Sequence, residues 1–173
     1  MRMKFARMKF AVAVLLIAGT TLFTGSLWAA GAPKPPSAKK FNSVATAALE
    51  AMKAKAAELK IGGVAVVNFA PGDAVESWSS RMAVVGRMKD APTDTSKGNN
   101  LLGIAYAKSA EMADTLLNSG TAKRPPMTGE FGWQGGVVEK AKAGYLIVSF
   151  SGGKSEDDVR VSKAGLEVLR KGL

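Results

Sequence analysis

The amino-acid sequence predicts an α+β fold, with a central antiparallel β-sheet flanked by helices in the order α-β-β-α-β-β-α. Apolar residues recur at three- and four-residue spacing in three segments, which is the period of an amphipathic helix. Between these segments lie short runs rich in β-branched residues, bounded by glycine and proline, as is typical of strands. Consecutive strands are joined by short turns, and this favours antiparallel pairing with helices packed on the sheet.

The three helices are predicted from their apolar stripes. The first covers 41–60, where six apolar side chains share one face and Gly62-Gly63 ends the pattern. The second begins at Leu101 and stops at Asn118 to Gly120. The third covers 155–172 and follows directly on the last predicted strand.

The first hairpin is predicted from a β-branched run at 64–70, a Pro71-Gly72 turn and a partner strand within 77–88. Residues 89–100 are expected to form a loop, because polar and turn-forming residues dominate them. Residues 121–136 form a long connection rich in glycine and proline. A connection of this length inside a compact domain is often functional.

The second hairpin is predicted within 137–150, with Gly144 in its turn. Leu146, Val148 and Phe150 alternate along its second strand and therefore share one face. We expect this strand to be central in the sheet.

The N-terminal segment has the layout of a secretory signal peptide: basic residues, then an apolar stretch, then small residues. Cleavage after Ala29 would remove residues 1–29 and leave a Pro-rich basic tether at 30–40 before a domain at 41–173. We expect a bacterial, Sec-type export to the periplasm or the medium. The alternative is an uncleaved membrane anchor at 10–28, which is barely long enough to span a bilayer.

The charge and the missing residue types of the chain exclude several classes of partner, catalytic site and metal site. The net charge of +10 becomes +6 after cleavage, because 24 basic residues become 20 against 14 acidic ones. This excess is weak support for nucleic acid, and none is expected as a partner. The sequence contains no cysteine and no histidine, which excludes Ser-His-Asp and Cys-His catalysis, Cys/His zinc sites and a His or Cys ligand to haem. No pair of acids has a spacing that suggests acid–base catalysis, so an enzyme is not expected.

The stretch SFSGGKSEDD at 149–158 raises three alternatives: a phosphate-binding loop, an acidic metal site, or a hinge between a strand and a helix. Acidic residues at 156–158 would repel an anion, and they stabilise the first turn of a helix. Ser155 with Asp158 resembles a capping box. The hinge is favoured, which makes this stretch a poor place to expect an active site.

Four stretches occur in one order along 41–173. They are GGVAVVN at 62–68, GRMKDAP at 86–92, Gly132 with Gly135-Gly136-Val137, and Ser151-Gly152-Gly153 followed by Asp157 or Asp158 and by Ala164-Gly165-Leu166. Together they resemble the GlcG/HbpS-like haem-binding family. Asn68 stands where that family usually has aspartate, and Asp90 stands where it usually has glycine.

The resemblance implies an α+β fold, frequent oligomers, and exported members that bind haem or related tetrapyrroles. We therefore expect a homo-oligomer or a periplasmic protein partner, and contact with a membrane only through an uncleaved signal segment. Because this chain lacks histidine, iron would need a Met, Tyr, Lys or Thr ligand, or no protein ligand.

Five residues are candidate ligand-binding residues. Arg87 could pair with a ligand carboxylate, and its alternative role is a strand-end salt bridge. Met88 and Met127 lie in or near loops and are candidate thioether ligands. Phe131 and Trp133 could stack on a flat ligand or a partner chain, or pack their own loop onto the core.

The functional expectation is an exported, non-catalytic module that binds a planar or small anionic ligand, haem among them. The ligand would lie between the loops at 87–99 and 127–136. The alternative is an accessory subunit of a periplasmic redox complex, with Phe131 and Trp133 as interface anchors. A third possibility is an enzyme acting on a small organic acid. Lys123-Arg124 is expected to be a solvated surface pair.

Overall fold

The structure, a computed structural model, describes residues 33–173 and confirms the α+β fold. A four-stranded antiparallel sheet has the order β2-β1-β6-β5, and β3 pairs with β4 in a separate two-stranded ladder. The elements are α1 (Ala38–Glu58), β1 (Gly63–Pro71), β2 (Ser79–Val85), β3 (Lys89–Asp90), β4 (Asn99–Asn100), α2 (Leu101–Thr115), β5 (Gly136–Ala141), β6 (Gly144–Ser151) and α3 (Ser155–Gly172). The predicted signal segment and its cleavage point lie outside the described residues. Within 33–173, no helix has the length and apolarity required to cross a bilayer.

Helices cover both faces of the sheet. Successive residues of a strand point to opposite faces, and β1 is buried along nearly its whole length. Ala65 and Val67 belong to the apolar cluster formed with α1 and α3, whereas Val64 and Val66 pack with α2. Strand β6 lies between β1 and β5, so the prediction that it is central is confirmed.

Buried polar groups position α2 on its side of the sheet. The Ser109 and Ser149 hydroxyl oxygens are 2.9 Å apart, and the Ser149 hydroxyl donates to the Ala105 carbonyl at 2.8 Å. The Asn68 amide nitrogen donates to the Ser109 hydroxyl at 3.2 Å. These hydrogen bonds set the register of α2 against β1 and β6, and with it the position of the preceding residue of α2, Lys108.

Three predicted helix boundaries differ from the structure, and the simplest is the end of α1, which lies at Glu58 and not at 60. Helix α1 begins at Ala38, because the Ser37 hydroxyl accepts the Lys40 N–H at 3.2 Å and caps the helix. The end of the predicted tether at 30–40 is therefore helical. Helix α2 ends at Thr115, before Asn118, because Leu116 adopts a left-handed conformation with φ of 53° and its N–H bonds to the Met112 carbonyl.

Two predicted connections also differ from the structure. The second hairpin turns at Lys142-Ala143, and Gly144 is already the first residue of β6. Glycine is required there because a Cβ would overlap the Ala70 carbonyl of β1. The segment at 89–100 is more than a loop, since its ends pair as β3 and β4.

Candidate ligand-binding site

A cavity of about 120 Å³ lies where the β3–β4 hairpin, the first turns of α2 and α3, and the segment after Gly132 meet. The loops at 87–99 and 127–136, between which ligand binding is predicted, both border it. Its lining residues are Asp90, Asn99, Leu101, Ile104, Lys108, Trp133, Gln134, Ser151, Gly152, Gly153, Ser155 and Asp158. The lining is mainly polar, with hydroxyl and amide groups beside two carboxylates and one amine.

A buried ion pair forms the inner wall of the cavity. The Lys108 ammonium lies 2.8 Å from Asp158 Oδ2 and also donates to the Phe150 carbonyl at 2.8 Å. The two side chains are only 3% and 4% exposed. Burial lowers the pKa of Lys108 and raises the pKa of Asp158, while the attraction between the two charges opposes both shifts.

Asp158 therefore has a role that the sequence analysis missed. The predicted capping box with Ser155 was wrong: Lys154 is the N-cap of α3 and makes no side-chain capping bond. Asp158 turns inward, and its Oδ1 accepts the Gly153 N–H at 2.8 Å. The stretch rejected as an active-site location thus supplies much of the cavity wall.

The position of Lys108 in the sequence indicates a buried lysine with a charged partner. It lies four residues after Ile104 and three after Ala105, on the buried face of α2. A lysine in such a position is almost never fully buried unless it is paired. The apolar stripe that predicted this helix did not include the lysine.

Gly135 leaves the space that the Lys108 amine occupies. Its φ is +133°, which favours glycine. A Cβ on Gly135 would overlap Lys108 Nζ and would lie 2.9 Å from Asp158 Cβ and 3.0 Å from the Phe150 carbonyl oxygen. The glycine is therefore needed for the ion pair to form in this position.

Arg87 occupies the salt-bridge position that was its alternative role. Its Nε donates to Asp90 Oδ1 at 2.8 Å, and its terminal nitrogens donate to the Gly62 and Gly152 carbonyls at 2.9 and 2.7 Å. Hydrogen bonds from Asn99 and Arg87 lower the pKa of Asp90. Arg87 thus joins the β3–β4 hairpin to the residue before β1 and the residue after β6, and ligand binding by Arg87 stays a prediction.

A second arginine organises the Gly-rich connection. Arg124 makes a bidentate contact with Glu130 at 2.6 and 2.8 Å, and it also donates to Asp114 at 2.7 Å. Hydrogen bonds from Arg124 and from the Met127 N–H lower the pKa of Glu130 to about 2. Of the predicted solvated surface pair, Lys123 is exposed, whereas Arg124 is 25% exposed and is ion-paired on both sides.

The four apolar candidates are all substantially exposed. Phe131 and Trp133 are each 47% exposed, and their ring centroids are 4.9 Å apart with planes tilted by 32°. Trp133 borders the cavity. Met127 and Met88 are 52% and 47% exposed. The aromatic rings therefore contact each other and leave large apolar faces open.

No family of known proteins is identified by sequence comparison. No protein-family model matches the chain, and no curated protein matches it. Among solved structures, the chain is similar to the crystal structure of the PduOC:heme complex, with a TM-score of 0.50 and 13% identity over 78% of this chain and 95% of that chain. Similarity at this identity shows a shared fold. The α+β fold is thus found in a protein crystallised with haem, and membership of the GlcG/HbpS-like family stays a prediction.

Proposed function

We propose that the chain binds a planar, acid-bearing ligand at the mouth of this cavity, with haem as the first candidate. The observation that carries the proposal is the exposed Phe131–Trp133 pair, whose tryptophan borders a polar cavity. Aromatic faces stack on flat ligands, and a few polar groups orient them. The fold shared with the PduOC:heme complex supports haem as the ligand to test.

The residues present fit a haem held at the surface. Ligand pockets usually measure about 300–1,000 Å³, so a cavity of about 120 Å³ has room for an acid group and not for the macrocycle. Ser151, Ser155 and Gln134 border it and offer hydroxyl and amide donors. Met127 or Met88 would supply a thioether to the iron, a ligand known from cytochromes. A bound haem would supply the redox chemistry of its iron.

Titration of the purified protein with haemin and with metal-free protoporphyrin tests the proposal. We expect a Soret shift with haemin and quenching of tryptophan fluorescence with both porphyrins, because stacking needs no metal. The Trp133→Ala variant should weaken both signals. Trp78→Ala is the matched control, because Trp78 is also exposed but lies outside the cavity. The absence of a Soret shift at micromolar haemin would overturn the haem proposal.

The two methionines can be separated by the same titrations. If Met127 ligates the iron, Met127→Leu should lower affinity for haemin and leave affinity for protoporphyrin unchanged. The same pattern in Met88→Leu would assign the ligand to Met88. If a methionine variant lost the same affinity for haemin and for protoporphyrin, that methionine would contact the porphyrin ring and would not ligate the iron.

A second candidate function uses the same surface for a protein. Exposed tryptophan and phenylalanine are typical anchors of protein interfaces, and here both are about half exposed. The protein would then be a non-catalytic accessory subunit, with a periplasmic redox complex as the proposed partner. Co-purification that Trp133→Ala abolishes, in a protein that does not bind porphyrin, would favour this function over the first.

We also propose that the protein is exported and assembles as a homo-oligomer. The basic, apolar and small-residue order of the first 29 residues supports export. The mass of the chain isolated from periplasm should correspond to a start at Ala30, whereas an intact N-terminus would argue for an anchor. Analytical ultracentrifugation measures the number of chains in the particle. A monomer at all protein concentrations would contradict the proposed homo-oligomer.

A further inference from the structure

We propose that Lys108 is an amine nucleophile that forms an imine with a small carbonyl compound held in the cavity. This activity goes beyond ligand binding at the mouth, because it uses the amine on the inner wall of the cavity for a covalent step. The cavity is too small for a macrocycle, but about 120 Å³ can hold a compound of a few heavy atoms.

The geometry brings the required groups together. Among the residues that border the cavity in the described part of the chain, Lys108 is the single lysine. Asp158 lies 2.8 Å from its amine and can accept a proton. Ser151 and Ser155 border the same space, and their side chains carry hydroxyl groups that can donate to a carbonyl oxygen. A nucleophile beside a proton acceptor and oxygen-binding donors is the arrangement expected of covalent catalysis.

The chemical step balances with these groups alone. Asp158 takes a proton from the Lys108 ammonium, and the free amine attacks the carbonyl carbon to form a carbon–nitrogen bond. The oxygen takes a second proton from the attacking nitrogen and becomes the hydroxyl of a carbinolamine. That hydroxyl leaves as water when Asp158 returns its proton, and the nitrogen lone pair then forms a protonated imine beside the Asp158 carboxylate. No oxidant or reductant takes part.

The surroundings of Lys108 favour the neutral amine, which is the form that can attack a carbonyl group. An exposed lysine has a pKa of about 10.4 and is almost entirely protonated at neutral pH. Burial lowers the pKa of Lys108 and raises the pKa of its partner Asp158. Both shifts bring the neutral amine and the neutral acid closer in free energy to the ion pair.

Reductive trapping tests the proposal on the purified full chain. The protein is incubated at neutral pH with acetaldehyde and sodium cyanoborohydride, and N-ethylation of each lysine is followed by peptide mass spectrometry. We expect Lys108 to be modified faster than any exposed lysine, with a rate that saturates as acetaldehyde increases. Slower modification of Lys108 than of the exposed lysines, or a rate that rises linearly with acetaldehyde, would overturn the proposal.

Lys108→Arg is the matched variant, because arginine retains a positive charge beside Asp158 but has no primary amine. It should remove the saturable component of labelling and leave the exposed lysines unchanged; saturable labelling that persists would assign it to another residue. Circular dichroism checks that the variant folds, and the comparison among lysines of the unaltered protein stands without it. The labelling reaction contains no porphyrin, so its result does not depend on whether the protein binds haem.

Discussion

Lys108 and Asp158 are fifty residues apart in sequence and form a buried ion pair between α2 and α3. The other members of this contact are the Phe150 carbonyl and the Gly153 N–H. The charged groups are therefore hydrogen-bonded as well as paired, which is the condition under which buried charges are tolerated. The pair joins both helices to the end of the central strand β6.

Replacing Lys108 by methionine should lower the free energy of unfolding by about 3–5 kcal/mol, since removal of one partner leaves Asp158 as an uncompensated buried charge. Urea denaturation of the variant and the unaltered protein measures the difference. The double variant Lys108→Met with Asp158→Leu should recover much of the loss, because no charge then remains buried. A single variant as stable as the unaltered protein would contradict the buried pairing.

Gly135 offers a second test at the residue scale. Gly135→Ala should destabilise the protein more than Gly129→Ala does. Both positions have positive φ, and alanine there costs about 1–3 kcal/mol in backbone strain. A Cβ at Gly129 meets nothing within 4 Å, whereas a Cβ at Gly135 overlaps Lys108 Nζ. Equal losses in urea denaturation would show that the Lys108 amine can move away at no cost.

At the scale of elements, local patterns predicted regular structure well and special turns poorly. The bounds of α3 agree with the predicted 155–172, because its apolar stripe and acidic first turn are continuous in sequence. The β3–β4 ladder was missed, since it consists of two residues on each side and depends on distant partners of Arg87. A composition rich in turn formers does not distinguish such a hairpin from a loop.

The connection at 121–136 contains the Arg124–Glu130 ion pair, and we expect its order to be sensitive to acid. The pKa of Glu130 falls from its ordinary 4.5 to about 2 in the folded protein. A carboxyl group with a lowered folded pKa stabilises the fold above its unfolded pKa, and that stabilisation is lost as pH falls toward the folded value. We therefore expect the connection to loosen between about pH 4.5 and 2.

The indole N–H resonance of Trp133, assigned with Trp133→Phe, reports this transition by NMR. In Glu130→Gln the resonance should no longer change with the Glu130 titration, because the charged contact is already absent. An unchanged Trp133 resonance in the unaltered protein down to pH 2 would show that the contact does not order the loop.

At the scale of the whole molecule, α1 and α3 cover one face of the sheet and α2 covers the other, so both layers depend on the same strands. Strands β1 and β6 contribute to both apolar layers. Loss of either central strand would expose both faces together. The described residues, 33–173, accordingly belong to one compact unit.

This architecture predicts a single cooperative unfolding transition for the domain. Far-UV circular dichroism, which follows the helices, and tryptophan fluorescence, which follows Trp78 and Trp133, should give the same urea midpoint. Lys108→Met should move both midpoints by the same amount. Separate midpoints would indicate that the α2 layer unfolds independently of the α1 and α3 layer.

The sequence by itself determined the class of fold, the order of the three helices and of the four strands of the main sheet, and the centrality of β6, because apolar periodicity and turn residues are local properties of the chain. The sequence also predicted a site between the loops at 87–99 and 127–136, and both loops border the cavity. Only the tertiary structure decided the partners of Lys108, Arg87 and Arg124. An acid in the first turn of a helix is favourable to the helix dipole whether it faces solvent or the interior. The local pattern around Asp158 therefore could not reveal that its carboxylate turns inward to a lysine on another helix.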